Sequence, residues 1–320
     1  MRRLLVAILL VALAGCGGGG EEGFLDRYVD DGRVVREDQG GDTVSEGQAY
    51  AMLLAVANED RERFDEVWTW TRANLRRDDG LLAWRWDDGR VADPEPAADA
   101  DLDAARALML AADRFGEPRY ADEGRALGRA IAEHETHDGI LVAGAWARGR
   151  GVVNPSYWSP RAYEALGMEE VAASSRRLVD RLTESGLPPD WAKVEPWGVV
   201  PAGPPSGGDP GYGYDAVRVP IRLAESCSPE DRALAARMWP ALQHEPAAAR
   251  RALDGAPLTA DESPAALAGA AAAAHAAGDG QASAKLLDRA SALVEERPSY
   301  YGSAVVELTR AMLDGRLGGC

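Results

Sequence analysis

The spacing of the apolar residues constrains the fold of this chain more than any other feature. From Phe24 onward, apolar side chains recur three and four positions apart, which is the spacing of an α-helix that buries one face. Four such stripes are Tyr50/Leu53/Leu54/Ala57, Phe64/Val67/Trp68/Thr71, Leu102/Ala105/Met109/Ala112 and Val305/Leu308/Met312. Ala-rich, Arg-rich and Glu-rich stretches, which are good helix formers, fill the sequence between them. The pattern predicts an all-α protein.

Short clusters of Gly, Pro and Asp separate the helical stretches, and none is long enough to link two folded domains. The longest run of strand-like alternation is Leu81 to Trp86, and the longest irregular stretch is Pro201 to Tyr214. Long loops in compact domains often carry function. We therefore predict one domain of many antiparallel helices over residues 24–320, with its functional residues gathered in loops.

The N-terminus resembles the signal of a bacterial lipoprotein. Arg2 and Arg3 precede an apolar segment, Leu4 to Ala14, which is too short to span a bilayer. It ends in Leu-Ala-Gly-Cys, which resembles a lipobox with Cys16 as the lipidated residue. This predicts a signal peptide over residues 1–15, a lipidated Cys and Gly-rich tether over 16–23, and an exported protein anchored at the cell membrane, on the cell surface or in the periplasm.

Charge and cysteine content exclude other classes. The formal net charge of -17 argues against a nucleic-acid partner, whose phosphates require Lys and Arg. It is compatible with a neutral or cationic partner, or simply with solubility. Cys227 and Cys320 match no zinc spacing, and a disulfide between them stays open. We predict no metal and no cofactor, and we expect a monomer.

The first candidate catalytic cluster is Thr43 to Gln48. Ser45 and Gln48 have the spacing of a capping box, which predicts that a helix begins here with Glu46 in its first turn. A helix N-terminus favours the carboxylate, whereas a general acid must hold its proton near neutral pH. A catalytic Glu46 therefore requires burial or a second carboxylate beside it.

Two further clusters supply acidic groups. The alternating Asp residues from Asp99 to Asp103 are not an EF-hand, because its glycine and glutamate positions are Ala104 and Leu110. They are also compatible with an ordinary Asp-rich helix start. Asp215 and Arg218 are three residues apart, so on a helix they would share one face and could pair.

Aromatic residues punctuate the predicted loops, and aromatic rings can stack on the apolar faces of sugars. These residues are Trp84, Trp86, Tyr157, Trp158, Trp191, Trp197, Tyr300 and Tyr301, with Tyr212 and Tyr214 beside Asp215.

Taken in order, these clusters resemble glycoside hydrolase family 8, the family of bacterial endoglucanases, chitosanases, lichenases and some xylanases. The resemblance covers nearly the whole chain after the tether. It is carried by the stretches TVSEGQAYAMLLAV, GLLAWRW, AADADLDAARAL, NPSYWSP, LPPDW and YDAVRVP. Two positions depart from the family pattern: Ala98 replaces a Ser or Thr, and Ala104 replaces a larger aliphatic residue.

The resemblance implies a fold and a set of roles. The fold is an (α/α)6 barrel. Glu46 is the proton donor, Asp215 is the base that activates water, and Asp99 holds the distorted sugar and helps Glu46 to keep its proton. Arg218 positions Asp215 or a sugar hydroxyl and keeps Asp215 ionised. The implied substrate contacts are Trp84, Tyr157, Trp158, Tyr214, Arg218 and Tyr301.

The resulting hypothesis is an inverting, endo-acting hydrolase of a β-1,4-linked polysaccharide, with cellulose or a related β-glucan as the first candidate substrate. Chitosan and xylan are alternatives within the same family. A non-catalytic glycan-binding lipoprotein is the alternative from another class, and Ala98 is the feature that favours it. Inversion requires the acid and base carboxyls to lie roughly 6.5–9.5 Å apart, with room for a water molecule.

Overall fold

The computed structural model describes residues 23–320, and over this range the chain forms twelve α-helices and ten short strands. The signal peptide, Cys16 and most of the tether lie outside the described residues. The helices are α1 (Phe24–Tyr28), α2 (Ser45–Ala57), α3 (Arg61–Asn74), α4 (Ala98–Phe115), α5 (Pro118–His134), α6 (Pro160–Leu166), α7 (Glu169–Leu182), α8 (Arg218–Ala224), α9 (Pro229–Leu242), α10 (Pro264–Ala276), α11 (Gly280–Glu296) and α12 (Tyr300–Leu313).

The helices alternate between two concentric rings. Helices α2, α4, α6, α8, α10 and α12 pack against one another in sequence, and α12 returns to α2 to close the inner ring. Helices α3, α5, α7, α9 and α11 each pack outside the inner helix before them, and the short α1 packs against α12. The single-domain (α/α)6 barrel predicted above is confirmed.

Burial explains which helices form which ring. In α10 every residue from Ala265 to Ala274 is buried, as expected for a helix enclosed on all sides. Its small side chains also allow close approach, and a Cβ on Gly269 would lie 2.6 Å from the carbonyl oxygen of Val217. The outer α7 buries only one stripe, which includes Val171, Val179 and Leu182.

All strands are antiparallel, and they lie in the connections that lead to inner helices. They are β1 (Val29–Asp30), β2 (Arg33–Val34), β3 (Thr43–Val44), β4 (Arg85–Asp87), β5 (Arg90–Asp93), β6 (Thr136–His137), β7 (Ile140–Leu141), β8 (Val152–Val153), β9 (Trp191–Glu195) and β10 (Gly198–Ala202). They pair as β1–β2, β3–β4–β5, β6–β7 and β8–β9–β10. The longest hairpin, β9–β10, is not apparent in the sequence pattern.

This alternation places the N-terminal ends of the inner helices, with the strand-containing loops, at one end of the barrel. The opposite end is closed by the C-terminal tail. Leu317 is buried there and its carbonyl oxygen accepts a hydrogen bond from Arg106. Cys227, which follows α8, forms a disulfide with Cys320, and this settles the pairing that the sequence left open.

No helix within residues 23–320 combines the length and the apolar character that a membrane span needs.

Candidate active site

The guanidinium of Arg218 lies at the centre of the predicted catalytic residues. Its Nη1 is 2.5 Å from Oε1 of Glu46 and 2.9 Å from Oδ2 of Asp99, and its Nη2 is 3.0 Å from Oδ1 of Asp215. The Arg218 side chain is only 4% exposed. One buried cation therefore joins three carboxyl groups that are far apart in the sequence.

Two hydroxyl groups also accept hydrogen bonds from this guanidinium. Nη1 also donates to the Tyr50 hydroxyl at 2.7 Å, and Nη2 donates to Ser156 Oγ at 2.9 Å. The Tyr50 hydroxyl in turn donates to Oε1 of Glu46 at 3.1 Å. The planar fork of arginine suits this arrangement because its donors point in fixed directions.

The three acids come from the starts of three inner helices. Glu46 is in the first turn of α2 and Asp99 is in the first turn of α4. Asp215 lies in the turn before α8, whose first residue is Arg218. The predicted Asp215–Arg218 pair forms, although Asp215 itself precedes the helix.

The predicted capping box is wrong, although the helix begins where it was expected. Val44 is the N-cap residue of α2, and Ser45 Oγ has no hydrogen-bond partner within residues 23–320. The Gln48 side chain turns into the core instead, where it accepts from the Val34 N–H and donates to Thr71 Oγ1.

Burial controls the protonation of two of the acids. It raises the pKa of Asp99 to about 6, and the attraction of Arg218 opposes this while the negative charge of Glu46 adds to it. Burial also raises the pKa of Asp215 to about 6, again against the effect of Arg218. The expectation that Arg218 keeps Asp215 ionised therefore holds only above about pH 6.

The shared guanidinium limits the distance between Glu46 and Asp215. Because the two terminal nitrogens of a guanidinium are about 2.3 Å apart, the two bonded carboxyl oxygens are at most about 8 Å apart. This limit overlaps the separation expected for an inverting acid–base pair.

Both carboxyl groups open into one cavity of about 500 Å³ at the N-terminal ends of the inner helices. Its other lining residues are Arg36, Asp38, Gln39, Tyr214, Glu262, Ser263, Pro264, Ser299, Tyr300, Tyr301 and Gly302. An open cavity with aromatic and polar walls can hold a sugar beside both groups.

Two of the five predicted aromatic contacts, Tyr214 and Tyr301, line this cavity, and Tyr157 lies beside Arg218. Tyr214 is 55% exposed, and its carbonyl oxygen accepts a hydrogen bond from the Tyr301 hydroxyl at 2.5 Å. The Cζ atom of Arg218 lies over the Tyr157 ring, 5.5 Å from the ring centroid. Trp84 is partly exposed directly beside α2, where its carbonyl oxygen accepts from the Ser45 N–H.

The prediction of a substrate contact for Trp158 needs correction. Its side chain is 3% exposed, and its indole N–H donates to the carbonyl oxygen of Leu141. A ring that is this deeply buried offers no surface to a sugar. The sequence could not separate it from Tyr157, because burial depends on neighbours far along the chain.

Sequence reasoning missed at least three residues of the site: Ser156, which bonds Arg218, and Tyr50 and Asp190. Tyr50 lies four residues after Glu46 on the same helix face, and that spacing is a signal that could have identified it. Asp190 lies in the LPPDW stretch, and its Oδ1 accepts hydrogen bonds from the backbone N–H groups of Gly213, Asp215 and Ala216. No local pattern indicates that contact.

Within residues 23–320, no group of three or more His, Cys, Asp or Glu side chains is arranged to hold a metal ion. His134 and His137 lie at the surface, each beside an exposed carboxylate.

Comparison with known proteins finds a matching family model and several similar sequences. The sequence model described as "Glycosyl hydrolases family 8" matches residues 1–313. A protein of Novacetimonas hansenii described as a probable endoglucanase is 33% identical over 231 residues, covering 65% of this chain and 67% of the relative. The endoglucanase of Cellulomonas uda is 28% identical over 242 residues, which cover 68% of this chain and 66% of that protein. The alignments thus span about two thirds of these relatives.

The fold is shared over a longer range than the sequence alignments. The structure of the endo-β-1,4-glucanase CMCax of Acetobacter xylinum superposes with a TM-score of 0.77 at 28% identity, covering 92% of this chain and 96% of that one.

Proposed function

The chain belongs to glycosyl hydrolase family 8, and we propose that it is an endo-β-1,4-glucanase that cleaves cellulose or a related β-glucan with inversion. The activity is the one named for similar proteins, the endoglucanase of Cellulomonas uda and the endo-β-1,4-glucanase CMCax of Acetobacter xylinum. One observation carries the mechanism: the carboxyl groups of Glu46 and Asp215 bond to the same guanidinium and open into the same cavity.

In this proposal the glycosidic bond is broken in one displacement. Glu46 donates its proton to the leaving oxygen, and Asp215 takes a proton from a water molecule that attacks the anomeric carbon from the opposite face. Asp99 holds the distorted sugar. The products are two shorter chains, one with a new reducing end of inverted configuration, and each carboxyl group then exchanges its proton to restart the cycle.

A chitosan substrate is the second candidate, and the charge of the cavity wall favours it. Glu46 and Asp215 share this wall with Asp38 and Glu262, against the single cation Arg36. Acidic groups in excess attract a polymer with ammonium groups. The paired Arg289 and Arg297 offset part of this charge at Glu262, so β-glucan stays the first candidate.

We further propose that the protein is exported and acts as a monomer held at the membrane by a lipid on Cys16. The lipobox-like sequence supports the anchor. The Cys227–Cys320 disulfide supports export, because disulfides persist mainly in oxidising compartments.

The proposal is tested by measuring reducing ends released from carboxymethyl-cellulose, mixed-linkage glucan, chitosan and xylan. Wild type is compared with Glu46→Gln and with Glu62→Gln, a matched change at an exposed position on α3. We expect release from one polymer, abolished only in Glu46→Gln. Proton NMR of the fresh product should show the α-anomer first, and viscosity should fall early, as for an endo-acting enzyme.

A wild-type protein that binds one of these polymers but releases no reducing ends from any of them would support a glycan-binding function instead. Release of the β-anomer would contradict inversion and the role of Asp215 as a base.

A further inference from the structure

The backbone around Asp215 is held by a side chain from a distant part of the sequence. Oδ1 of Asp190 accepts three backbone hydrogen bonds, from Gly213 at 3.0 Å, from Asp215 at 3.1 Å and from Ala216 at 2.7 Å. A carboxylate with several backbone N–H donors forms strong, charge-assisted bonds. This single oxygen therefore fixes the path of the chain on both sides of Asp215.

The contact between Asp190 and the backbone of residues 211–216 is close, and further hydrogen bonds stabilise it. The Asp190 N–H donates to the carbonyl oxygen of Gly211 at 2.7 Å, so the two segments are joined in both directions. A Cβ on Gly213 would lie only 2.7 Å from Oδ2 of Asp190, so the close approach requires a glycine there. Just before Asp190, the Leu187 N–H donates to the carbonyl oxygen of Leu253, which anchors the segment that carries the carboxylate.

Asp215 needs such an anchor because it is not part of a helix. Helix α8 begins only at Arg218, and residues 214–217 form a turn. The chain before them, from Gly203 to Gly211, is irregular. Without Asp190, the position of Asp215 would depend on its bond to Arg218, a contact with Asn154 and the backbone bonds of the turn itself.

Asp190 also acts on Asp215 through its charge. The groups that face Asp215 are Arg218 from α8, Asp99 from α4, Tyr157 after β8, Tyr301 from α12, Glu46 across the cavity, and Asp190. Burial favours the protonated form of Asp215 most, Arg218 opposes it, and Asp190 and Asp99 add to it. Burial also raises the pKa of Asp190, while its three backbone bonds favour the carboxylate.

We propose that Asp190 is a positioning residue for the base: its three backbone bonds hold Asp215 in place, and its carboxylate lies close enough to act on Asp215 through its charge. The inference rests on the proposed function, in which Asp215 activates water. Asp190 thus acts on Asp215 in two ways, through its hydrogen bonds to the backbone and through its charge.

Substitutions at Asp190 distinguish these contributions in the full-length protein. Asparagine keeps an oxygen that can accept the three N–H bonds but carries no charge. For Asp190→Asn we expect a plateau kcat within about threefold of wild type and an acidic limb of kcat/KM displaced to lower pH, because a negative neighbour of the base is gone. For Asp190→Ala we expect kcat to fall about 10²-fold, because the base is misplaced.

Two further variants complete the experiment. Gly213→Ala keeps Asp190 but pushes the loop away from it, and we expect a loss of kcat similar to that of Asp190→Ala. Asp209→Asn changes an exposed acid of the same loop and should leave the rate and the pH profile unchanged. Circular dichroism and the melting temperature report whether each variant is folded, and Gly213→Ala provides the positional test if Asp190→Ala does not fold.

The inference is overturned if the acidic limb of Asp190→Asn coincides with that of wild type, or if folded Asp190→Ala and Gly213→Ala keep wild-type kcat. Failure of the proposed function is distinct, because wild type itself would then release no reducing ends.

Discussion

Arg218 and Asp99 form an ion pair across the inside of the barrel, with Nη1 2.9 Å from Oδ2, at a sequence separation of 119 positions. The same separation recurs further along the same two helices. Asp103 pairs with Arg222, and Arg106 pairs with Glu225. Because α4 and α8 are parallel inner helices, equal steps along each one preserve the pairing.

These three buried pairs connect the two ends of the barrel. The first pair is part of the candidate active site, and Arg106 of the last pair also donates to the carbonyl oxygen of Leu317 in the C-terminal tail. Breaking the Asp103–Arg222 or the Arg106–Glu225 pair by removing one partner is costly, since it leaves a charge without compensation. Arg218 is different, because it keeps Glu46 and Asp215 as partners when Asp99 is replaced. The row of pairs thus holds the guanidinium of Arg218 in register with α4.

The first prediction concerns Arg218. Lysine keeps the positive charge, but its single ammonium cannot span Glu46 and Asp215 as the guanidinium does. We expect Arg218→Lys to lower kcat/KM by at least about 10²-fold because the acid and the base lose their common support. Arg129→Lys, at an exposed position of α5, is the matched control. A variant that keeps more than a tenth of the activity would show that the shared guanidinium is dispensable.

The second prediction is the acidic limb of the pH–rate profile. A base must be ionised, and burial raises the pKa of Asp215 to about 6. Below this pH the group is protonated, so kcat/KM should fall about tenfold per pH unit. The nearby Asp99 titrates in the same range, so the measured limb belongs to the pair. A profile that stays flat down to pH 4.5 would rule out this assignment.

The third prediction is that the ionised Asp99 carboxylate lowers the free energy of unfolding at neutral pH. Its pKa is raised from 3.8 to about 6 in the folded protein, so the folded state disfavours the carboxylate. The protonated Asp99 carboxyl contributes to the free energy of unfolding in full below pH 3.8, and this contribution is lost as the pH rises to about 6. At pH 7, Asp99→Asn should therefore raise the free energy of unfolding by on the order of 1–3 kcal/mol, while activity falls sharply.

Melting curves at pH 7 and pH 4 test this prediction. The melting temperature of Asp99→Asn should exceed that of wild type by a few degrees at pH 7, and the difference should shrink at pH 4. Asp113→Asn, at an exposed position of the same helix, should show neither effect. A lower melting temperature of Asp99→Asn at pH 7 would contradict the argument.

The fourth prediction concerns the disulfide. Cys227 and Cys320 are 93 residues apart, so their bond restricts a large loop of the unfolded chain. Cys320→Ser should lose on the order of 2–5 kcal/mol of stability. Its kcat at 25 °C should be unchanged, because the bond lies at the opposite end of α8 from Arg218. Reduction with dithiothreitol should lower the melting temperature of wild type and leave that of Cys320→Ser unaltered.

The fifth prediction separates two tryptophans that look alike in the sequence. Trp158→Ala empties a core position and should cost about 3–5 kcal/mol of stability. Trp84→Ala removes a partly exposed ring, and the backbone hydrogen bonds of residue 84 do not depend on its side chain. We therefore expect the fold to persist and KM for polymeric substrate to rise. Denaturant unfolding and steady-state kinetics distinguish the two. An increase in KM for a fully folded Trp158→Phe would restore Trp158 as a substrate contact.

The sequence by itself determined the features that depend on neighbouring residues. Helix spacing predicted the all-α fold, and the starts of α2 and α4 placed Glu46 and Asp99 in first turns. The three-residue step from Asp215 to Arg218 predicted their pairing. The helix predictions succeed because they depend on residues within a few positions of one another, whatever surrounds the helix. The Asp215–Arg218 pair forms from the turn before α8, and not from the shared helix face that its spacing suggested.

Only the tertiary structure decided which distant residues meet. Closing the inner ring brings Glu46, Asp99 and Arg218 together, and it joins Asp190 to the backbone of Asp215. The same packing buries Trp158. Gln48 turns into the core instead of capping its helix because Val34 and Thr71 offer it buried partners. Burial and long-range contact depend on the path of the whole chain, and no local spacing in the sequence records that path.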